Sequence, residues 1–431
     1  MSRTRLGGAP AVYLSMTAIE GFLWMMMVVI YAPYLIVDAH LGPFQLVLLG
    51  TVLEGTVLLF EIPTGIVADA ISRKTSIIIG YALAGIATVL IGSVPDFGWI
   101  VVGDVLGGIG YTFISGADVA WITDEVGEEP ASRLYLRGAQ WAQAASIAGI
   151  AVGVWLATVR LALPFVLSGI GEIGLAALLL LWMPEHNFVP QRVKGTKIRA
   201  SFVAQWKQGV GAVKGRPVLM LIFAIAAMQG ASTEGFDRLF ALHFLRGTHI
   251  PSLGSVDRVA WWGIITAGGL FLSIGATEFV KRRVTISNHI GAARALALIN
   301  LLLIGTVVLF GLAPAFWLAL AAYWATGLLR RVNEPIFTTW VNQGLDPSSR
   351  ATVNSMWGQA DALGQVAGGP ILGVIAAARS VTTAIVVSGF LRAPALWLFG
   401  KTLRGGPLSA EDLGPDPSQS DEGSRILEGK V

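Results

Sequence analysis

From about residue 8 to residue 400 the chain is a succession of apolar stretches, each about 20 residues or longer, divided by short polar breaks. An α-helix rises about 1.5 Å per residue, so about 20 residues cross a hydrocarbon layer roughly 30 Å thick. Twelve such stretches are read, at about 8–37, 45–70, 75–95, 98–122, 133–158, 162–183, 217–247, 257–279, 287–312, 315–341, 350–377 and 380–400. A membrane barrel would instead alternate apolar and polar residues over segments of about 10. Composition agrees: 54% of residues are hydrophobic and 13% charged, about half the charge of a soluble domain. The 52 glycines suit helices that pack closely in lipid. The first run follows Arg3 and Arg5 and continues well beyond signal-peptide length, so a retained helix is expected. The predicted fold class is an all-α polytopic membrane protein.

Basic residues set an orientation. Arg3, Arg5, Arg73, Lys74, Arg133, Arg137, the segment from Arg192 to Arg216, Lys281 to Arg283, Arg350, Lys401 and Arg404 all fall on one side. Positive loops stay inside, which predicts a multi-pass inner-membrane protein with both termini cytoplasmic. The longest break divides the spans as six plus six. The expected organisation is residues 1–183 as one half, 184–216 as a basic linker, 217–400 as the second half and 401–431 as a disordered tail. Within the linker, Phe202, Trp206, Val210 and Val213 share one helical face, predicting an amphipathic helix on the inner leaflet.

The halves echo one another. Glu-Gly-Phe occurs at Glu20 and again at Glu234, 214 residues on; Asp69, Arg73 and Lys74 align with Glu278, Arg282 and Arg283; Trp121 aligns with Trp340. Several matches in order indicate two homologous six-helix halves, as in secondary transporters whose sites lie between the repeats.

The segment "EIPTGIVADAISRK" places Gly65, Asp69, Arg73 and Lys74 in a pattern that resembles the signature loop between helices two and three of the major facilitator superfamily. Ala70 and Ser72 stand where that loop carries a basic residue and a second glycine. The resemblance implies the major facilitator fold, and for these four residues a latch between halves that favours one access state. The fourth span, through Gly107, Gly108 and Gly110, is similar to the segment of drug/proton antiporters that bears an arginine, and Asp104 occupies that arginine's place. The glycines Gly149 and Gly153, and Gly364, Gly368, Gly369 and Gly373 around Pro370, are expected at close helix contacts.

Charges inside the membrane cost a few kcal/mol each and therefore mark candidate sites. The first half offers Glu20, Glu54, Glu61, Asp104, Asp118 and Glu172 and no basic residue at mid-helix; the second offers Glu234, Asp237, Arg238, Arg330, Arg331, Glu334, Asp361 and Arg392. Spacing of four predicts the pairs Glu234–Arg238 and Arg330–Glu334. Glu20 has no local partner and is expected to be a proton or cation site, while Glu234, Asp237 and Arg238 form a charge cluster that shapes the cavity. Glu54, Glu172 and Asp361 are further proton or substrate candidates, and Trp24, Tyr31, Trp121, Trp141, Trp340 and Trp357 are candidates for an aromatic lining.

The chain has no cysteine, no phosphate-binding Gly-rich loop ending in Gly-Lys-Ser/Thr and no His-Glu-x-x-His, so thiolate chemistry and direct use of ATP are excluded and no cofactor or metal is expected. The resemblance implies a monomeric secondary transporter working by alternating access, with protons, a small-molecule substrate and the bilayer as partners and no nucleic acid. Proton-coupled efflux of an amphipathic, drug-like molecule is the first expectation. Proton-coupled uptake or export of a metabolite or sugar is the alternative, and a membrane-embedded enzyme is a more distant one.

Overall fold

The computed structural model describes residues 8–190, 217–252, 258–283, 289–342 and 347–405. The predicted linker helix and all of the tail beyond residue 405 lie outside the described residues. Every regular element among them is a helix: α1 (Ala9–Val37), α2 (Pro43–Ala70), α3 (Arg73–Ser93), α4 (Phe97–Ile114), α5 (Ala117–Val126), α6 (Glu128–Val159), α7 (Leu163–Trp182), α8 (Pro217–Gly247), α9 (Ala260–Arg283), α10 (His289–Leu312), α11 (Phe316–Asn342), α12 (Pro347–Ala378), α13 (Val381–Phe390) and α14 (Ala393–Gly405). They make twelve spans, because α4–α5 and α13–α14 are each one span with a break. The first break sits at Gly116, whose φ of 77° is left-handed and favours glycine. The last helix continues to Gly405, past the expected boundary at residue 400.

Local chemistry fixes where the helices begin. The hydroxyl of Ser72 accepts the Thr75 N–H (2.9 Å) at the start of α3, and the Asp96 carboxylate accepts the N–H groups of Gly98 (3.0 Å) and Trp99 at the start of α4. Pro10, Pro43 and Pro164 occupy first-turn positions, where no intrahelical N–H is needed. Pro33, Pro63, Pro335 and Pro370 lie inside helices, which neighbouring helices in a membrane bundle tolerate.

Helix pairing repeats. In the first bundle α1 packs on α6, α3 on α7 and on α4; in the second, α8 packs on α12, α10 on α13–α14 and on α11. Glycines mark equivalent points of closest approach. A Cβ on Gly21 would meet the Ala142 carbonyl and one on Gly230 the Asp361 carbonyl; Gly92 abuts Phe165 as Gly311 abuts Ile385; Gly169 packs on α3 as Gly389 packs on α10. These contacts set the register between the halves and correct one sequence alignment. Gly21 stands opposite Gly230, so Glu20 corresponds to the buried Gln229 and Glu234 to Met25. The repeated triplet is five residues out of structural register. Glu172, three residues past Gly169, corresponds to Arg392, three past Gly389.

Among the described residues, the apolar contacts between the two bundles gather toward one end. At the end away from the chain termini, a single apolar core joins Ile30, Tyr34, Leu46 and Val47 of the first bundle to Phe236, Leu239, Phe244 and Trp262 of the second. There α2 lies against α12, with Phe44 at Gly373 and Thr51 at Gly369, and Val154 of α6 reaches Gly263 of α9. At the opposite, basic end the cores are separate: Tyr13, Ile77, Trp121 and Leu179 in one bundle, Leu296, Phe337, Trp340 and Phe399 in the other. Leu59 of α2 and Ile71 just beyond its end are exposed there, and a Cβ on Gly65 would meet nothing within 4 Å. Among the described residues the bundles are thus joined at one end and parted by a cleft at the end where α1 begins.

Candidate functional site

Charged side chains gather between the bundles near the middle of the helices. Arg238 on α8 approaches Glu234 one turn earlier (Nε to Oε2, 3.5 Å) and Glu54 of α2 across the cleft (Nη2 to Oε1, 3.9 Å). Among the described residues this is the one ion pair that links the bundles. It exists because residue 50 of α2 is glycine: a Cβ there would strike Arg238 Nε and Glu234 Oε2. Glu234 is 2% exposed, whereas about a quarter of the Arg238 and Glu54 side chains remains open to the cleft. The same guanidinium is close enough to act electrostatically on Tyr31 of α1 and Asp104 of α4, which are hydrogen-bonded to each other (Tyr31 OH to Asp104 Oδ1, 3.2 Å).

A second group lies beside the first. Arg330 of α11 donates from Nη1 to Asp237 Oδ1 (2.6 Å) and stacks over the Phe236 ring at 4.9 Å. Its predicted partner was Glu334, but Glu334 is on the exposed side of α11 while Asp237 projects from the neighbouring α8. Asp361 of α12 accepts from Gln365 (2.8 Å), and the buried Arg392 donates from Nε to Ser232 Oγ (3.2 Å) within electrostatic reach of Asp361 and Arg330.

Glu20 and Glu172 sit elsewhere. Glu20 accepts from Tyr81 OH of α3 (2.8 Å) and Glu172 from Thr88 of the same helix (3.3 Å), so both lie among α1, α3 and α7 inside the first bundle, with Asp118 electrostatically near Glu20. The partner that sequence spacing did not show for Glu20 is therefore on another helix of its own half. Two of the six aromatic candidates, Trp121 and Trp340, are buried in the separate basic-end cores rather than along the cleft; Trp121 is fixed by a bond from its indole N–H to the Pro184 carbonyl (2.7 Å).

At the basic end, Arg73 bridges Asp69 (3.7 Å) and Asp124 of α5 (2.9 Å). Glu185 closes the loop by accepting the Ser72 hydroxyl (2.7 Å) and the Lys74 backbone N–H (2.9 Å), which also satisfies the first turn of α3. All these partners belong to the first bundle, as they must while the cleft is open at that end.

Asp104, Tyr31, Gly50, Arg330, Arg392 and Ser232 complete the charged centre. Of these, Asp104, Arg330 and Arg392 carry a visible sequence signal, a charge at mid-span; Gly50 carries none, because its role appears only when α8 is laid against α2.

A polytopic helical protein of two like bundles around a cleft sealed at one end, with its charges held between the bundles, has the architecture of a membrane transporter. The family model described as Major Facilitator Superfamily matches residues 13–287, and the chain belongs to that superfamily. It is 22% identical over 391 residues, 89% of this chain and 94% of the relative, to an uncharacterized MFS-type transporter, YxaM, of Bacillus subtilis (strain 168). Among solved structures, the nucleoside transporter NupG aligns with a TM-score of 0.73 at 14% identity, covering 92% of this chain and all of that one (100%). A bacterial homologue of the human lysosomal transporter Spinster, inward-facing and unoccupied, aligns at 0.69 with 16% identity, covering 94% and 98%. A POT family transporter in complex with 5-aminolevulinic acid aligns at 0.71 with 12% identity, covering 92% and 96%. These likenesses establish the fold.

Proposed function

We propose that this transporter is a proton-coupled exporter of an amphipathic small organic molecule, monomeric in the inner membrane with both termini in the cytoplasm. Residues 1–183 and 217–400 are the halves that rock about the charged centre, and 184–216 is the strap between them. In this orientation the sealed end is external and the open cleft admits cargo from the cytoplasm. The observation that carries the reading is the Glu54–Arg238–Glu234 group. Among the described residues it is the ion pair between two halves that otherwise meet mostly through apolar side chains, so cargo or a proton arriving there changes what holds the halves together. The carboxylates Glu54, Asp104, Glu234, Asp237 and Asp361 outnumber Arg238, Arg330 and Arg392, which favours cargo with a cationic group. Gly65, Asp69, Arg73 and Lys74 serve as the latch, engaging the second half when the basic end closes.

A second reading, movement of a polar metabolite, draws on the density of charge in the cleft and on relatives of the same fold whose names specify a nucleoside or 5-aminolevulinic acid. Susceptibility of cells with and without the protein to a chemically broad panel of amphipathic cations separates the two. Efflux predicts raised tolerance to several of them, and unchanged tolerance throughout rejects it in favour of the metabolite.

A further inference from the structure

Among the described residues, Asp104 is the one carboxylate with a buried oxygen that has no hydrogen-bond partner. It is 6% exposed, its Oδ1 accepts from Tyr31, and its buried Oδ2 has no hydrogen-bond partner. A buried carboxylate that keeps its charge with a single neutral donor is expensive, and a proton removes the expense.

Its surroundings supply no cation of its own. From α1 it faces Tyr31; α3 packs on this part of α4 through Ala87 and Ile91, at Gly103 and Gly107. On α2 the charged residue of the centre is Glu54, and the cation in reach is Arg238 of α8, already between Glu234 and Glu54. That guanidinium is thus engaged by Glu234 and Glu54, and Asp104 stands beyond ion-pair distance of it. Position adds to this. Asp104 is seven residues from the start of α4 at the sealed end, while Glu54 is eleven from that of α2, so Asp104 lies where open cleft gives way to seal. Asp104 belongs to the first half and Arg238 to the second. Rocking of the halves therefore changes the separation of the acid from that cation, which ties the acid's proton affinity to the state of the cleft.

We infer that Asp104 is the proton-binding carboxylate of the cleft, taking up and releasing one proton as Arg238 of the facing half moves away and returns. This rests on the proton-coupled reading above and assigns the proton to a residue that replaces the arginine of the antiporter-like segment. Glu20, on Tyr81 inside the first bundle, has no such view of the second half.

Infrared difference spectra of the full chain in liposomes, recorded between acidic and alkaline pH, read the carbonyl stretch of protonated carboxyl groups directly. Asp104→Asn is expected to lose one titrating carboxyl band; Asp104→Glu retains it with a displaced midpoint and shows that the position tolerates change, and Tyr31→Phe displaces the midpoint while keeping the band. Glu20→Gln should leave this band in place. A wild-type set of bands in Asp104→Asn overturns the assignment. Flux of ethidium, a fluorescent cation, driven by a pH gradient tests the underlying reading separately: it should fall by about tenfold or more in Asp104→Asn. If the wild-type protein moves no ethidium with the gradient but Asp104→Asn still loses its band, proton-driven efflux of such cations is rejected and the proton site stands.

Discussion

Gly50 decides where the charge of the second half goes. Without a side chain on α2, Arg238 and Glu234 fit against the helix backbone, and Arg238 reaches Glu54. The atoms a methyl group would strike are the ends of flexible side chains, so Gly50→Ala is expected to fold, with Tm within a few degrees of wild type. Transport should fall by about tenfold or more, about 1.4 kcal/mol of lost transition-state stabilisation. Normal flux in a folded Gly50→Ala protein would separate the ion pair from function. At Glu20 the expectation is the reverse. Glutamine keeps an oxygen for the Tyr81 hydroxyl, so Glu20→Gln should retain pH-driven flux within about twofold, and Tyr81→Phe should cost about 0.5–1.5 kcal/mol of stability through the lost hydrogen bond. Loss of coupling in Glu20→Gln with unchanged thermal stability would return the proton to Glu20. The charges themselves were readable from the sequence, since mid-span ionisable residues are rare. Their partners were not. The i,i+4 rule found Glu234–Arg238 but misassigned Arg330, because the rule sees one helix and Asp237 comes from another.

At the scale of elements, the seam between α2 and α12 explains how the sealed end stays shut. Gly369 and Gly373 let α12 approach α2 so that Thr51 and Phe44 sit on its backbone, and in lipid such close packing, rather than exclusion of water, holds helices together. A larger residue at Gly369 would meet the Thr51 hydroxyl. Gly369→Val is therefore expected to open the sealed end and to favour the opposite access state. A cysteine placed at Gly42, on the sealed side of α2, would report this by faster labelling with a membrane-impermeant maleimide in Gly369→Val than in its parent; equal rates would mean that the seam does not set the state. Spans were legible in the sequence because hydropathy measures what crossing a bilayer demands. Breaks were less so: the turn at Gly116 lies in the run read as a single helix at 98–122, and one glycine among 52 does not announce its left-handed backbone. The Gly-rich run around Pro370 packs closely, as its small residues predict, although its partners, the first half's α2 as well as α8, are visible only in the assembled fold.

For the whole molecule, the duplication was legible and its register was not. Identical triplets at Glu20 and Glu234 suggest one register, yet helix contacts are set by where glycines allow backbones to meet, and that register pairs Gly21 with Gly230. The halves are consequently alike in packing and unlike in charge: Gln229 replaces Glu20, and Arg392 replaces Glu172. The open end is the place to test the rocking of the halves. Across the α2–α12 seam, contacts run from Phe44 at Gly373 through Thr51 at Gly369 to Gly55 beside Val366, and beyond this the helices part, with open space at Gly65 and at Gly358. Since the natural chain has no cysteine, Ile62→Cys and Gly358→Cys can be joined selectively by a short bifunctional crosslinker. Once joined, the bundles cannot separate at the basic end, and alternating access requires that separation in every cycle. Flux should fall to the level of empty liposomes and return when a cleavable linker is cut, whereas each single-cysteine protein should be unaffected by the reagent. Full flux through a quantitatively crosslinked protein would mean that cargo crosses without the halves moving apart, and would remove rocking from the mechanism.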